Sequence, residues 1–89
     1  MEIVKYLFIV KSRSLNSSEH NTSFKSNVFS AAFVGAASVD EACAIADAFV
    51  RKGVSMIDLC SGFNHEDARR VFDSIDGKVK VSYAGVSFL

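Results

Sequence analysis

The 89-residue sequence contains no proline and only five glycines. No turn is pinned by a fixed φ, so loops must be set by hydrogen bonding and by their few glycines. Net charge is also absent, with ten basic residues balanced against ten acidic ones. That balance leaves no broad cationic field for a phosphate backbone and no polybasic run for anionic lipid, which argues against nucleic-acid and membrane partners. Long apolar runs are missing too. The segment "YLFIV" at Tyr6–Val10 is far too short to cross a bilayer. It is also a poor signal-peptide core, because Lys11 and Arg13 stand where a small-residue cleavage site belongs. Cysteine is scarce: Cys43 and Cys60 lie seventeen positions apart with no CxxC pair, which suits two free thiols in a cytoplasmic protein rather than a disulfide framework. The sequons at Asn16 and Asn21 carry little weight in such a compartment. No GxGxxG, Walker, GxSxG or HExxH pattern occurs, and no His/Cys spacing specifies a metal, so no cofactor is named.

What is present is apolar substance. Hydrophobic residues make up 49 % of the chain, eight of them phenylalanine. This excludes a disordered polymer and indicates one folded domain over residues 1–89. A domain of this size hides only roughly 60–65 % of its unfolded surface, so a solitary monomer has little margin.

The segment "EIVKYLFIVK" (2–11) is rich in β-branched and aromatic residues and reads as a first strand. Val4, Tyr6, Phe8 and Val10 point one way; Ile3, Lys5, Leu7 and Ile9 point the other. Both sets are mostly apolar, so both faces should be covered. Residues 12–26, "SRSLNSSEHNTSFKS", carry six serines and no periodic apolar face. They read as a long polar, mobile loop, either a plain surface excursion or a lid over a site.

A second strand follows over 27–36. Ser38 then caps a helix, with Glu41 three residues on completing a capping box. Val39, Ala42, Cys43, Ala46, Phe49 and Val50 form its inward stripe, and Gly53 stops it. The third strand is "VSMIDLC" (54–60). After the turn Ser61-Gly62-Phe63, Asn64 caps a second helix with Ala68, Val71, Phe72 and Ile75 inward, ended by Gly77. Residues 78–89 form the last strand, with Gly85 marking a bulge or bend.

The expected fold is therefore α/β. It has a four-stranded, mostly parallel sheet in the order β-loop-β-α-β-α-β, with the second to fourth strands side by side and both helices mainly on one face. The bare face then calls for a second copy, so self-association is expected.

Ligands of α/β proteins gather at the carboxyl edge of the sheet. Here that edge contains Ser38 after the second strand and Cys60, Ser61, Gly62, Asn64 and His65 after the third. Helix N-termini at both places offer free N–H groups to an anion. Asp58 is the sharper signal. It sits between Ile57 and Leu59 in a strand, where an unpaired carboxylate is costly. It needs a partner, a wet cavity or a sheet edge. Alternation puts it with Met56 and Cys60, away from the helices and toward an interface or cleft.

Two chemical readings follow. In one, a polar or anionic metabolite binds at Asp58, Cys60, Ser61, Gly62, Asn64 and His65, with Ser38 nearby. In the other, Cys60 or His65 acts as nucleophile or acid/base and Asp58 orients it. A third reading is a structural or partner-binding module.

The run "IDLCSGFNHEDARRVFDSIDGKVKV" (57–81), preceded by "KGVSMID", resembles a small bacterial α/β family with no assigned function. That family carries an acid-Leu-Cys-Gly-Gly-Phe turn after a strand. Ile57 to Phe63 match it, with Ser61 in place of the first glycine, and the 12–26 segment lacks the family's prolines. The resemblance implies an α/β fold and no particular reaction.

Overall fold

The computed structural model describes residues 4–84. Five strands and two helices run in the order β1 (Val4–Lys11), β2 (Asn21–Lys25), β3 (Phe29–Ala36), α1 (Val39–Arg51), β4 (Met56–Leu59), α2 (His65–Ser74) and β5 (Lys80–Tyr83). They form one sheet in the spatial order β2-β3-β1-β4-β5. β1 pairs in parallel with both β3 and β4, β4 pairs in parallel with β5, and β2 runs antiparallel along β3.

This corrects the sequence-based expectation in two ways. The described residues form five strands, not four, because residues 21–25 of the supposed polar loop form β2. β2 is an edge strand exposed along its whole length. Main-chain bonds to β3 hold it, so it needs no buried side chains and its "NTSFK" composition looks like a loop. The strands also do not follow chain order, since β1 inserts between β3 and β4. The apolar character of both faces of "VKYLFIVK" reflects that central place. Of the last strand expected over 78–89, Lys80–Tyr83 is strand among the described residues, and the Gly85 bend lies outside them.

Alternation divides the sheet into two faces. Leu7, Ile9, Ile57 and Leu59 are at most 1 % exposed and pack with Val34 and Ala36. Above them sit Ala42, Ile45 and Ala46 of α1 and Ala68 and Val71 of α2, in one cluster. Both helices therefore cover the same face. Ile45 is an inward residue that the expected stripe omitted, whereas Phe72 lies outward, 37 % exposed.

The ends of the helices follow from their caps. The Ser38 side chain accepts from the Glu41 N–H at 3.1 Å. The Glu41 carboxylate reaches past the cap to the N–H of Ala37 at 2.7 Å and to that of Ser17 at 3.0 Å. It thereby pins the β1–β2 connection to α1. These backbone donors, Ala37 first, hold the Glu41 carboxyl below its usual range. Gly53 takes φ +93°, a left-handed conformation that closes α1.

Candidate functional site

The uncovered face carries the unusual chemistry. Register places Thr22, Phe33, Phe8, Asp58 and Ser82 side by side across all five strands. The neighbouring row is Phe24, Ala31, Tyr6, Met56 and Lys80. The rings of Phe24, Phe33 and Phe8 form a continuous aromatic stripe, with successive centroids 5.8 Å apart. The β2-β3-β1 part of this face is thus mostly apolar, and the β4-β5 part is mostly polar.

Asp58 stands at the boundary, half-buried. The Tyr6 hydroxyl donates to its Oδ2 at 2.7 Å, and the Ser82 hydroxyl donates to Oδ1 at 3.0 Å. The carboxylate's need for partners is therefore met inside the chain, by one strand on either side. The tyrosine pays the electrostatic side of this arrangement. Burial first, then the hydrogen bond and negative charge of Asp58, raise the Tyr6 pKa to about 12. Its hydroxyl stays protonated and remains a donor at neutral pH. Tyr6 and Ser82 were not legible as site residues. Tyr6 reads as one more aromatic in a strand, and only the adjacency of β1 to β4 reveals it as a partner.

The turn after β4 is held differently. The Cys60 sulfur accepts from the backbone N–H of Lys11 at 3.2 Å and of Gly62 at 3.3 Å. It staples the turn to the end of β1. Phe63, 2 % exposed, drops into the core beneath the turn. Asn64 and Asp67 form a reciprocal capping box at the start of α2, so a carboxylate of the chain already sits at that helix end. His65 Nδ1 lies 3.1 Å from the Tyr83 hydroxyl. Ser61 and Gly62 are exposed.

The seven candidate residues thus fall into separate places. Cys60, Ser61, Gly62, Asn64 and His65 share one turn. Asp58 faces the uncovered side of the sheet, while Tyr83, the partner of His65, pairs with Leu59 and shares its helix-covered side. Ser38 belongs to the cap of α1. Among the described residues no group of three or more His, Cys, Asp or Glu side chains gathers where a metal ion would be held. No helix among them is long and apolar enough to cross a membrane.

Gly62 makes a sharp local demand. A Cβ there would lie 2.9 Å from the backbone oxygen of Lys11, which cannot move without disturbing β1. Gly62→Ala is expected to lower stability by about 1–3 kcal/mol, as overpacking does. Ser61→Ala, at an exposed neighbour, should change it by no more than about 0.5 kcal/mol. Urea unfolding of the two variants checks the contrast; equal midpoints would remove the steric account.

No curated protein and no solved structure matches the chain. A family model described as "Family of unknown function (DUF6506)" matches residues 4–88. The chain belongs to that family.

Proposed function

We propose that this chain is a self-associating module, and that a second copy covers the sheet face opposite the helices. The observation that carries the reading is the aromatic stripe of Phe24, Phe33 and Phe8 on a face that no element of the described chain covers. Phe24 alone is 62 % exposed. Five strands at ~4.8 Å spacing and about six residues at ~3.3 Å give a face of roughly 24 × 20 Å. That is close to the lower bound of specific interfaces, near 600 Å² per partner. In adjacent rows of its β4-β5 part the same face holds a carboxylate, Asp58, and an ammonium, Lys80. A two-fold arrangement lets each copy's pair meet the other's in antiparallel fashion, so the face is complementary to itself in charge as well as in apolar character.

Tyr6, Asp58 and Ser82 then form the polar centre of the seam. A polar ligand bound by Asp58 would be enclosed between two copies. The enzyme alternative draws less support from the geometry. The Cys60 sulfur already accepts two backbone N–H groups, and Asp58 faces the opposite side of the sheet from the Tyr83 partner of His65.

Sedimentation velocity or light scattering tests the proposal. The expected species has twice the 9.7 kDa chain mass and dissociates on dilution. A single chain-mass species at about 100 μM, above the micromolar dissociation constants of the weaker interfaces of this size, would overturn it.

A further inference from the structure

A second opening lies on the other side of the sheet. Helix α1 packs on β1 and β3, and β2 extends the sheet beyond the helix's reach. Between α1 and the inward side of β2 runs a cleft of about 440 Å³. Its size is that of a small-molecule site, for which roughly 300–1,000 Å³ is usual. Ala32 and Val34 of β3 line its base. Ala44, Ile45 and Ala48 line the α1 side, and the small size of the two alanines is what leaves the space open. Asn21 and Ser23 of β2 form the polar rim.

The two ends of the cleft differ. Phe49 lies at one, and Ser17 and Glu41 at the other. Glu41 is half-buried; the Ala37 N–H donates to its Oε1 and the Ser17 N–H to its Oε2, with the Ser17 hydroxyl as a further, weaker partner. A carboxylate has about four acceptor directions, so acceptor capacity remains. Among the described residues no lysine, arginine or histidine forms an ion pair with it. Eight residues of helix rise separate Glu41 from Phe49, about 12 Å.

We propose that this cleft binds a primary organic amine with an apolar body about 10 Å long, its ammonium on Glu41 and its body against Ala44, Ala48 and Phe49. Charge complementarity selects the cation. A carboxylic acid of the same shape would bring a second anion against Glu41, and an alcohol would offer only a neutral donor. The cleft lies on the helix side of the sheet, so this inference stands apart from the proposed self-association.

The experiment titrates 3-phenylpropylamine, 3-phenylpropanol and 3-phenylpropionate into the full chain, followed by amide chemical shifts. The amine is expected to shift Ser17, Glu41, Ala44 and Ala48 saturably, with at least tenfold tighter binding than either analogue. Glu41→Gln should remove that preference. Because Gln brings an NH₂ against one of the N–H donors, a second variant, Ala48→Phe, leaves Glu41 intact and fills the cleft. It should abolish binding of all three probes while the dispersion of the spectrum stays native. Equal binding of amine and acid, an unchanged amine affinity in Ala48→Phe, shifts centred on the Asp58 face, or no saturable shift at all would each overturn the proposal.

Discussion

On the proposed self-association, Phe33→Glu is expected to leave the chain monomeric. Phe33 sits in the middle of the aromatic stripe, touching Phe8 on one side and Phe24 on the other. Anchors of this kind cost about 2 kcal/mol or more when lost from an interface. A two-fold seam carries each change twice, so the expected loss is about 4 kcal/mol, or roughly a thousandfold in the dissociation constant. The new carboxylate is also placed one strand beyond the Phe8–Asp58 pair, adding negative charge to the face that must be desolvated. Phe33 is itself half-buried within one chain, so part of the penalty falls on folding. Phe24→Glu avoids that difficulty. At 62 % exposure the side chain gives the monomer little, and its loss should still weaken association by about tenfold to a hundredfold. Phe72→Glu, an exposed phenylalanine on α2, serves as the control and should leave the dissociation constant unchanged. Sedimentation at several concentrations reads all three. If Phe24→Glu and Phe33→Glu associate as tightly as Phe72→Glu does, the seam is elsewhere.

How far such a face could be foreseen depends on which signals live in local sequence. Period-two alternation in "VKYLFIVK" and "MIDL" separates Leu7, Ile9, Ile57 and Leu59 from Tyr6, Phe8 and Asp58, and the structure shows the same two sets. Cap chemistry is equally local. Ser38 and Asn64 begin their helices and Gly53 ends the first, because each acts on backbone groups within four residues. Order across the sheet is not local. Nothing in the chain states that β1 lies between β3 and β4, so the neighbours of Asp58 are hidden until the pairing is known. The apolar character of both faces of β1 hints at a central position without naming the strands beside it.

The missed elements have their own reasons. β2 stays hidden because an edge strand held by its main chain leaves no pattern in its side chains. Phe63 looks like a turn residue, yet it is 2 % exposed. The turn itself is fastened outside by the Cys60 sulfur, which lets the next ring fold inward. For the candidate site, the sequence singles out Asp58 by its cost in a strand. The two hydroxyls that meet that cost, from Tyr6 and Ser82, come from strands 52 and 24 residues away.

That three-residue arrangement carries the second large expectation. Tyr6 has a pKa of about 12 in the folded chain against an ordinary value of 10.0. The folded state therefore holds the phenolic proton more tightly than the unfolded state does. The resulting stabilisation is complete below pH 10 and is lost as pH rises from 10 through 12. Because this face is open to water in the single chain, the loss is expected to be about 1 kcal/mol, well under what the full displacement would carry in a dry interior. The difference in urea stability between the wild type and Tyr6→Phe, followed from pH 8 to 12, isolates this contribution from every other titration. At neutral pH, Tyr6→Phe also removes a hydrogen bond to a charged acceptor and should cost about 1.5–3 kcal/mol. Asp58→Asn keeps an acceptor for the hydroxyl but removes the charge. Burial, the largest single cause of the raised Tyr6 value, persists in Asp58→Asn, so that variant should lower the value only part of the way toward 10. A double-mutant cycle of Tyr6→Phe with Asp58→Asn should give a coupling of about 1 kcal/mol. If a copy of the chain covers this face, ionised Tyr6 beside Asp58 would put two negative charges per copy into the seam. Association should then weaken over the same interval, pH 10 to 12, and stay flat there in Tyr6→Phe. A seam indifferent to pH across that interval, in a protein whose fold does respond, would place Tyr6 and Asp58 outside the contact between copies.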